Sequence, residues 1–420
     1  MTTLLVVACG CGFPRPMELA ATDGGGGGTD AAIDSGDSAS QLCAPGQPLR
    51  CDGSSLVSCN GDGSAEASQA CALGCNATAS RCNDVDPSNG LAPFLDMAAT
   101  GADVDLGASA TINTDDGTVQ VDGAPLMITS SLFGQTDGPN IRVFVVHSLT
   151  AADVATVGSN ALVFVSDRDI TIHGTLSVSG GHNDTPSPGG FNDATCQGQP
   201  GTFASDAFGG SGGGGFGSRG GNGGSATNSA VSEPGGSGGA PTSNVSLTPL
   251  RGGCDSGTWG GALIGRGGGA VQLVSRTTVA LASGAVIAAN GASLSGGGSG
   301  GGILLEAPLV EVTGNVVANG AAGSDVCILA FSAGEDGHLD ARPAIGAPTC
   351  TDLLGSRGGN GAAGSSEATN GTDVTGNGSA LFPGNGAGGV GRIRVNAIAG
   401  GLSASGIFSP TPSIGVISVR

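Results

Sequence analysis

The chain of 420 residues contains no lysine and no tyrosine, and aromatic residues make up only 3% of it. All 14 of its cationic side chains are arginine. Without lysine there is no Walker phosphate loop, no Schiff base and no lysine general base. The net charge is −20. Nucleic-acid binding needs basic patches, so this acidity argues against that partner class. It also disfavours adsorption to anionic membrane surfaces. No run approaches the roughly 20 apolar residues of a membrane span. The apolar runs that do occur are too short for helices and lack their 3.6-residue period.

What is abundant is glycine, 83 residues, against a usual share of about 7%. It follows no strict three-residue period, so a collagen triple helix is excluded. The remaining order is a repeat. Ala161–Gly181 reads ALVFVSDRDITIHGTLSVSGG, three short apolar runs closed by a glycine pair. The outline returns at Gly269–Gly291, Gly302–Gly320 and Val390–Gly406. Runs of β-branched and small residues between turn residues read as strands. One such unit cannot bury its own apolar face, whereas stacked units can. The expected fold is therefore all-β: a parallel β-helix (solenoid) body over 87–420. An antiparallel β-sandwich is the alternative. Ile141–His147 reads as a further buried strand, and Ala110–Gly123 as a hairpin or first rung around an Asp-Gly turn.

The first residues carry a different signal. Leu4-Leu5-Val6-Val7-Ala8-Cys9 is apolar and ends in a small residue before cysteine. It resembles the end of a bacterial lipoprotein signal, in which the cysteine becomes the lipidated first residue. The resemblance implies Cys9 as the attachment site, with Cys11 the less favoured candidate. The apolar run is shorter than in a complete secretory signal and no Arg or Lys precedes it. On this reading 1–8 is a signal remnant. Residues 9–42 are a flexible Gly/Ala/Asp tether, with almost nothing to bury.

Cys43, Cys51, Cys59, Cys71, Cys75 and Cys82 follow within 43–86. So short a segment cannot build a sufficient core alone. In an exported chain six cysteines read as three disulfides, with 15 connectivities open. Zinc is disfavoured, because no pair has a two-residue gap and the first histidine is His147. Together with the tether, this module resembles the Cys-rich modules of surface lipoproteins in myxobacteria and their relatives. The resemblance implies an exported, outer-membrane or cell-surface location. Asp84–Gly90 is no EF-hand, since Asn89 and Leu95 stand where glycine and glutamate are needed.

Two long insertions interrupt the repeat, at about 180–268 and 320–389. Each contains the string GSRGGNG, at Gly217–Gly223 and Gly355–Gly361. Each also contains two cysteines, Cys196 with Cys254 and Cys327 with Cys350. They read as duplicated modules, each closed by its own disulfide. Their composition is similar to that of Gly-rich surface proteins of the PGRS type, a likeness that carries no function. With few residues that need burial, they are expected to protrude as loops from one edge of the body.

Little points to catalysis. Asp167 and Asp169, with His173 beyond them, share a strand-like stretch, and β-helix enzymes acting on polysaccharides use such carboxylates. The other units place Arg276-Thr277-Thr278 and Pro308-Leu309 there, so no acidic groove continues. Glu335, Asp336, His338 and Asp340 form a second cluster, read as an ordinary polar loop. Gly320–Ile328 matches a calcium nonapeptide once, imperfectly. No catalytic residue, metal site or cofactor is expected. The sequence reading is thus an exported, lipid-anchored envelope protein of structural or adhesive role, not an enzyme. Its membrane contact would be through the lipid alone, and its Gly-rich loops would meet an unidentified surface or matrix component. The alternative is a polysaccharide lyase or glycoside hydrolase.

Overall fold

The computed structural model describes residues 42–181, 185–204, 207–228, 231–258, 263–326, 331–348, 356–376 and 381–420. Cys9, Cys11, His182, Trp259, Cys327 and Cys350 lie outside them. The chain divides into two compact units, Met1–Gln47 with Cys59–Ala67, and Pro48–Ser58 with Ser68–Arg420. In the first, Cys43 is bonded to Cys59. There the Asn60 side chain receives the Ala65 amide at 3.1 Å, and Asp62 takes the Ser64 amide at 2.9 Å.

In the second unit the structure is nearly all β, and its sheets are mostly parallel. Each repeat contributes one strand to each of three sheets. The first sheet takes Ile141–Val146, Ala161–Ser166, Ala270–Ser275, Gly302–Glu306 and Arg392–Ala397, all parallel. The second takes Ser148–Ala151, Ile170–Ile172, Thr278–Leu281, Leu309–Val312 and Leu402–Ala404. The third takes Asp153–Val157, Thr175–Ser177, Val286–Ala288, Asn315–Val317 and Ile407–Ser409. These parallel sheets set aside the antiparallel sandwich. Antiparallel pairs occur at the start of the body, where Ser130–Phe133 joins the first sheet and Ser109–Asn113, Val119–Val121 and Ala124–Leu126 join the third.

The registers explain the repeat. Phe144, Phe164, Leu273, Leu305 and Val395 are successive partners on the first sheet. Leu149, Ile170, Val279, Val310 and Leu402 are so on the second. Val154, Leu176, Ile287, Val316 and Phe408 are so on the third. All three ladders meet in one hydrophobic core. The segment Ile141–Val157 is thus a full repeat, of which the sequence reading recognised only the first strand.

The first sheet is buried on both faces, which is why its strands are almost continuously apolar. Its second face carries Val143, Val145, Val163, Val165, Val274 and Leu304 in a separate core. The helix Ala92–Ala98, opened by a proline in its first turn, adds Leu95 and Ala98 to that core. Phe216, Leu247 and Leu250 from the first Gly-rich insertion complete it. The expectation that this insertion merely protrudes is therefore overturned, because Phe216, Leu247 and Leu250 are fully buried.

Candidate contact surface

Three Gly-rich segments leave the ends of third-sheet strands and return to the first sheet, after Ser177, Ala288 and Val317. They interlock by backbone hydrogen bonds. Gly214 donates to Gly297, Gly221 to Ala387, and Gly297 to Gly386, each at 2.8–2.9 Å. Within one stretch the amides of Gly209, Gly212 and Gly215 donate to Thr202, Gln199 and Cys196 at 2.8–2.9 Å. Those of Gly210 and Gly213 donate to Gly224 and Gly221 at 2.9 Å. The third direction is taken by Ser211, whose amide meets Asn385 Oδ1 at 2.7 Å, and by Gly214.

Successive amides thus point in three different directions, and in two of them every third amide returns to the same neighbouring stretch. That is a helix of three residues per turn with no internal hydrogen bonds, the geometry of polyproline II. An α-helix would satisfy its amides internally and a strand would alternate between two sides. Laterally bonded chains of this kind pack backbone on backbone. A Cβ on Gly213 would overlap the Ala387 carbonyl, and one on Gly239 that of Cys196. Glycine is required by this close approach, and each segment supplies the amide partners of the others.

Side chains are admitted where a segment faces water. Arg219 and Asn222 are exposed while Gly220, Gly221 and Gly224 are buried. Arg357 and Asn360 repeat this beside buried Gly359 and Gly361. The asparagines have a second use at the edge, where a lateral neighbour is missing. Asn222 Oδ1 accepts the Gly238 amide at 2.9 Å, and Asn360 Oδ1 the Gly346 amide at 2.9 Å. Asn370 and Asp373 likewise accept from Asn222 and Ser225 at 2.8 and 2.6 Å. The Arg219 and Arg357 side chains take no hydrogen-bond or ion-pair partner among the described residues.

Most other arginines of the body are engaged. Arg251 meets Asp193 at 3.1 Å and Arg266 meets Asp255 at 2.9 Å. Burial works to raise the Asp193 carboxyl, but the Cys196 and Thr195 amides and Arg251 together hold it below its usual value. Arg251 and Arg392 both lie over the Phe216 ring, at 5.8 and 5.7 Å from its centre. Burial, and the nearby Arg251 charge, lower the Arg392 pKa.

The two acidic clusters are structural in their contacts. Asp167 joins Arg276, which also meets Asp84 at 3.0 Å. Burial works to lower the Arg276 pKa, but Asp84 and Asp167 raise it overall. Asp169 accepts instead from Thr277 Oγ1, and His173 is exposed on the far side of Ile172. Glu335 takes the Ile345 amide at 2.8 Å and His338 Nε2 at 2.9 Å, the amide being the larger cause of its lowered pKa. Asp336 accepts the Ser293 amide at 2.8 Å, and Asp340 the Arg342 amide at 2.9 Å. Among the described residues no group of three or more His, Cys, Asp or Glu side chains is placed to hold a metal ion.

Among the described residues the cysteine pairs in the second unit are Cys51–Cys75, Cys71–Cys82 and Cys196–Cys254. Disulfides on this scale suggest an extracellular or otherwise oxidising environment. No helix among the described residues is long and apolar enough to cross a membrane. No family model, curated protein or solved structure matches the chain.

Proposed function

We propose that this is an exported envelope protein, lipid-anchored at Cys9, whose three parallel sheets are the faces of a β-helix body. Its interlocked Gly-rich segments then form a rigid contact surface towards matrix, another cell or a second copy. The resemblance to myxobacterial surface lipoproteins supports the location, and the disulfides fit it. The carrying observation is the glycine packing. Large stretches of the chain serve to build a laterally bonded slab whose outward side chains recur every third residue. A slab of this kind offers a fixed array of polar groups at low conformational cost, which suits adhesion.

The anchor is tested by expressing the full chain in a bacterial host supplied with a fatty-acid analogue. Labelling and membrane retention are expected, and both should vanish in Cys9→Ser. Retention of the purified chain on cells or extracellular matrix tests the adhesive role. Turnover of a polysaccharide that is lost in Asp169→Ala would instead favour the enzymatic reading.

A further inference from the structure

We propose that the two copies of GSRGGNG form one binding surface for a carboxylated polysaccharide, with Arg219 and Arg357 as its anion-holding side chains. This rests on the Gly-rich slab being a contact face, and names what it contacts.

Both copies flank a single segment, 369–373. On one side the Gly371 amide donates to Asn222 and the Val374 amide to Ser225, each at 2.9 Å. The offset is constant, so this copy runs parallel to the segment. On the other side Thr372 donates to Arg357 and Thr369 to Asn360, each at 3.0 Å. This pairing is antiparallel. The two copies therefore run in opposite directions across one shared neighbour. Arg219 comes level with Asn360, and Arg357 with Asn222. At roughly 3.1 Å per residue the two arginines are offset by about 12 Å along the surface.

Exposed Thr369, Asn370 and Thr372 fill the space between them. Ser218, Arg219, Asn222, Glu367 and Asn370 share a cleft on the Arg219 side, and Arg357 stands outside it. The chemistry of this face is hydroxyl, amide and guanidinium, with the carboxylates of Glu367 and Asp373, over glycine backbone. A protein partner would be anchored by aromatic or aliphatic side chains in apolar pockets, and this cleft offers none. A hydrated polymer with recurring carboxylates matches it better, because the planar guanidinium holds a carboxylate by two parallel hydrogen bonds. The net charge of −20 repels polyanions at a distance. Retention thus depends on engaging both arginines at once. Glu367 in the same cleft penalises a chain whose carboxylates are out of register.

The probe is polygalacturonate, with its fully methyl-esterified form as the uncharged control. The full chain is expected to bind the acid and not the ester. Arg219→Ala and Arg357→Ala should each weaken binding about tenfold, the equivalent of one charge-assisted hydrogen bond. The double variant should lose it. Neither side chain bonds to the protein, so unfolding midpoints should not change. Equal binding of acid and ester, equal binding by the double variant, or no binding by the natural chain would each overturn the proposal. Retention on whole matrix is measured alongside. A double variant retained as well as the natural chain would sink this inference and leave the adhesive role standing. A natural chain that binds polygalacturonate but is not retained on matrix would do the reverse.

Discussion

Ser211 and Asn385, 174 residues apart, are joined by two hydrogen bonds to one oxygen: the Ser211 amide at 2.7 Å and its hydroxyl at 2.9 Å from Asn385 Oδ1. The Asn385 amide nitrogen in turn meets the Ser324 hydroxyl at 3.1 Å. All three residues are fully buried. One side chain thus ties the first Gly-rich segment to the third.

Replacing Asn385 by leucine strands the Ser211 amide away from water, while the Ser324 hydroxyl keeps its bond to the Ser295 carbonyl. Leaving such a buried group unpaired costs about 1–3 kcal/mol. The denaturation midpoint should fall accordingly. An unchanged midpoint would mean that the two segments are held together without this hub.

Gly213→Ala tests the close packing directly. The new methyl meets the Ala387 carbonyl, which is backbone and itself bonded to the Gly221 amide at 2.8 Å. Overpacking of this kind costs about 3 kcal/mol or more. Gly61→Ala is the matched control, since nothing lies within 4 Å of its added carbon. The expected contrast is a large loss of stability in the first and a change within about 0.5 kcal/mol in the second.

How far the sequence led depends on where side chains carry the information. The ladder through Ile170, Val279 and Val310 was readable, because stacked units reuse apolar positions. Ile141–Val157 was recognised only in part, since Leu149 and Val154 sit in SLTAADVATV, which lacks the glycine that separates the second and third strands of the other units at Gly174, Gly284, Gly314 and Gly406. The slab was missed altogether, because its order lies in backbone amides that no residue type announces. A signal was nonetheless present. Arg219, Asn222 and Ser225, and again Pro234, Ser237 and Ala240, recur at three-residue spacing among glycines, and that spacing is the polyproline II turn.

Phe216 decides whether the first insertion is dispensable. Its ring is fully buried beneath two guanidinium groups and against the core on the second face of the first sheet. Phe216→Ala should cost about 3–5 kcal/mol. Deleting about 190–267 removes Phe216, Leu247 and Leu250 together and uncovers that core. Such a chain should be protease-sensitive and lose its cooperative transition. A resistant body of native-like circular dichroism would show that the insertion is a mere attachment.

The last prediction concerns acid. Asp96 pairs with Arg420, 3.0 Å from Nη1 to Oδ2, and this bond is the main cause of its lowered pKa. Asp193 is lowered as well, by the Cys196 and Thr195 amides and Arg251 acting against burial. A carboxylate whose folded pKa lies below its unfolded value of 3.8 binds fewer protons folded than unfolded. Its contribution is complete above the unfolded value and disappears as pH falls through the folded one. Stability should therefore be level from pH 7 to about pH 5 and drop below about pH 4. Asp193→Asn should reduce the stability at neutral pH and flatten that drop, as read from denaturation midpoints across the range. Asp96→Asn should do so more weakly, because its pair is exposed to solvent and screened. A drop of unchanged size in the two variants combined would assign the acid sensitivity to other carboxylates.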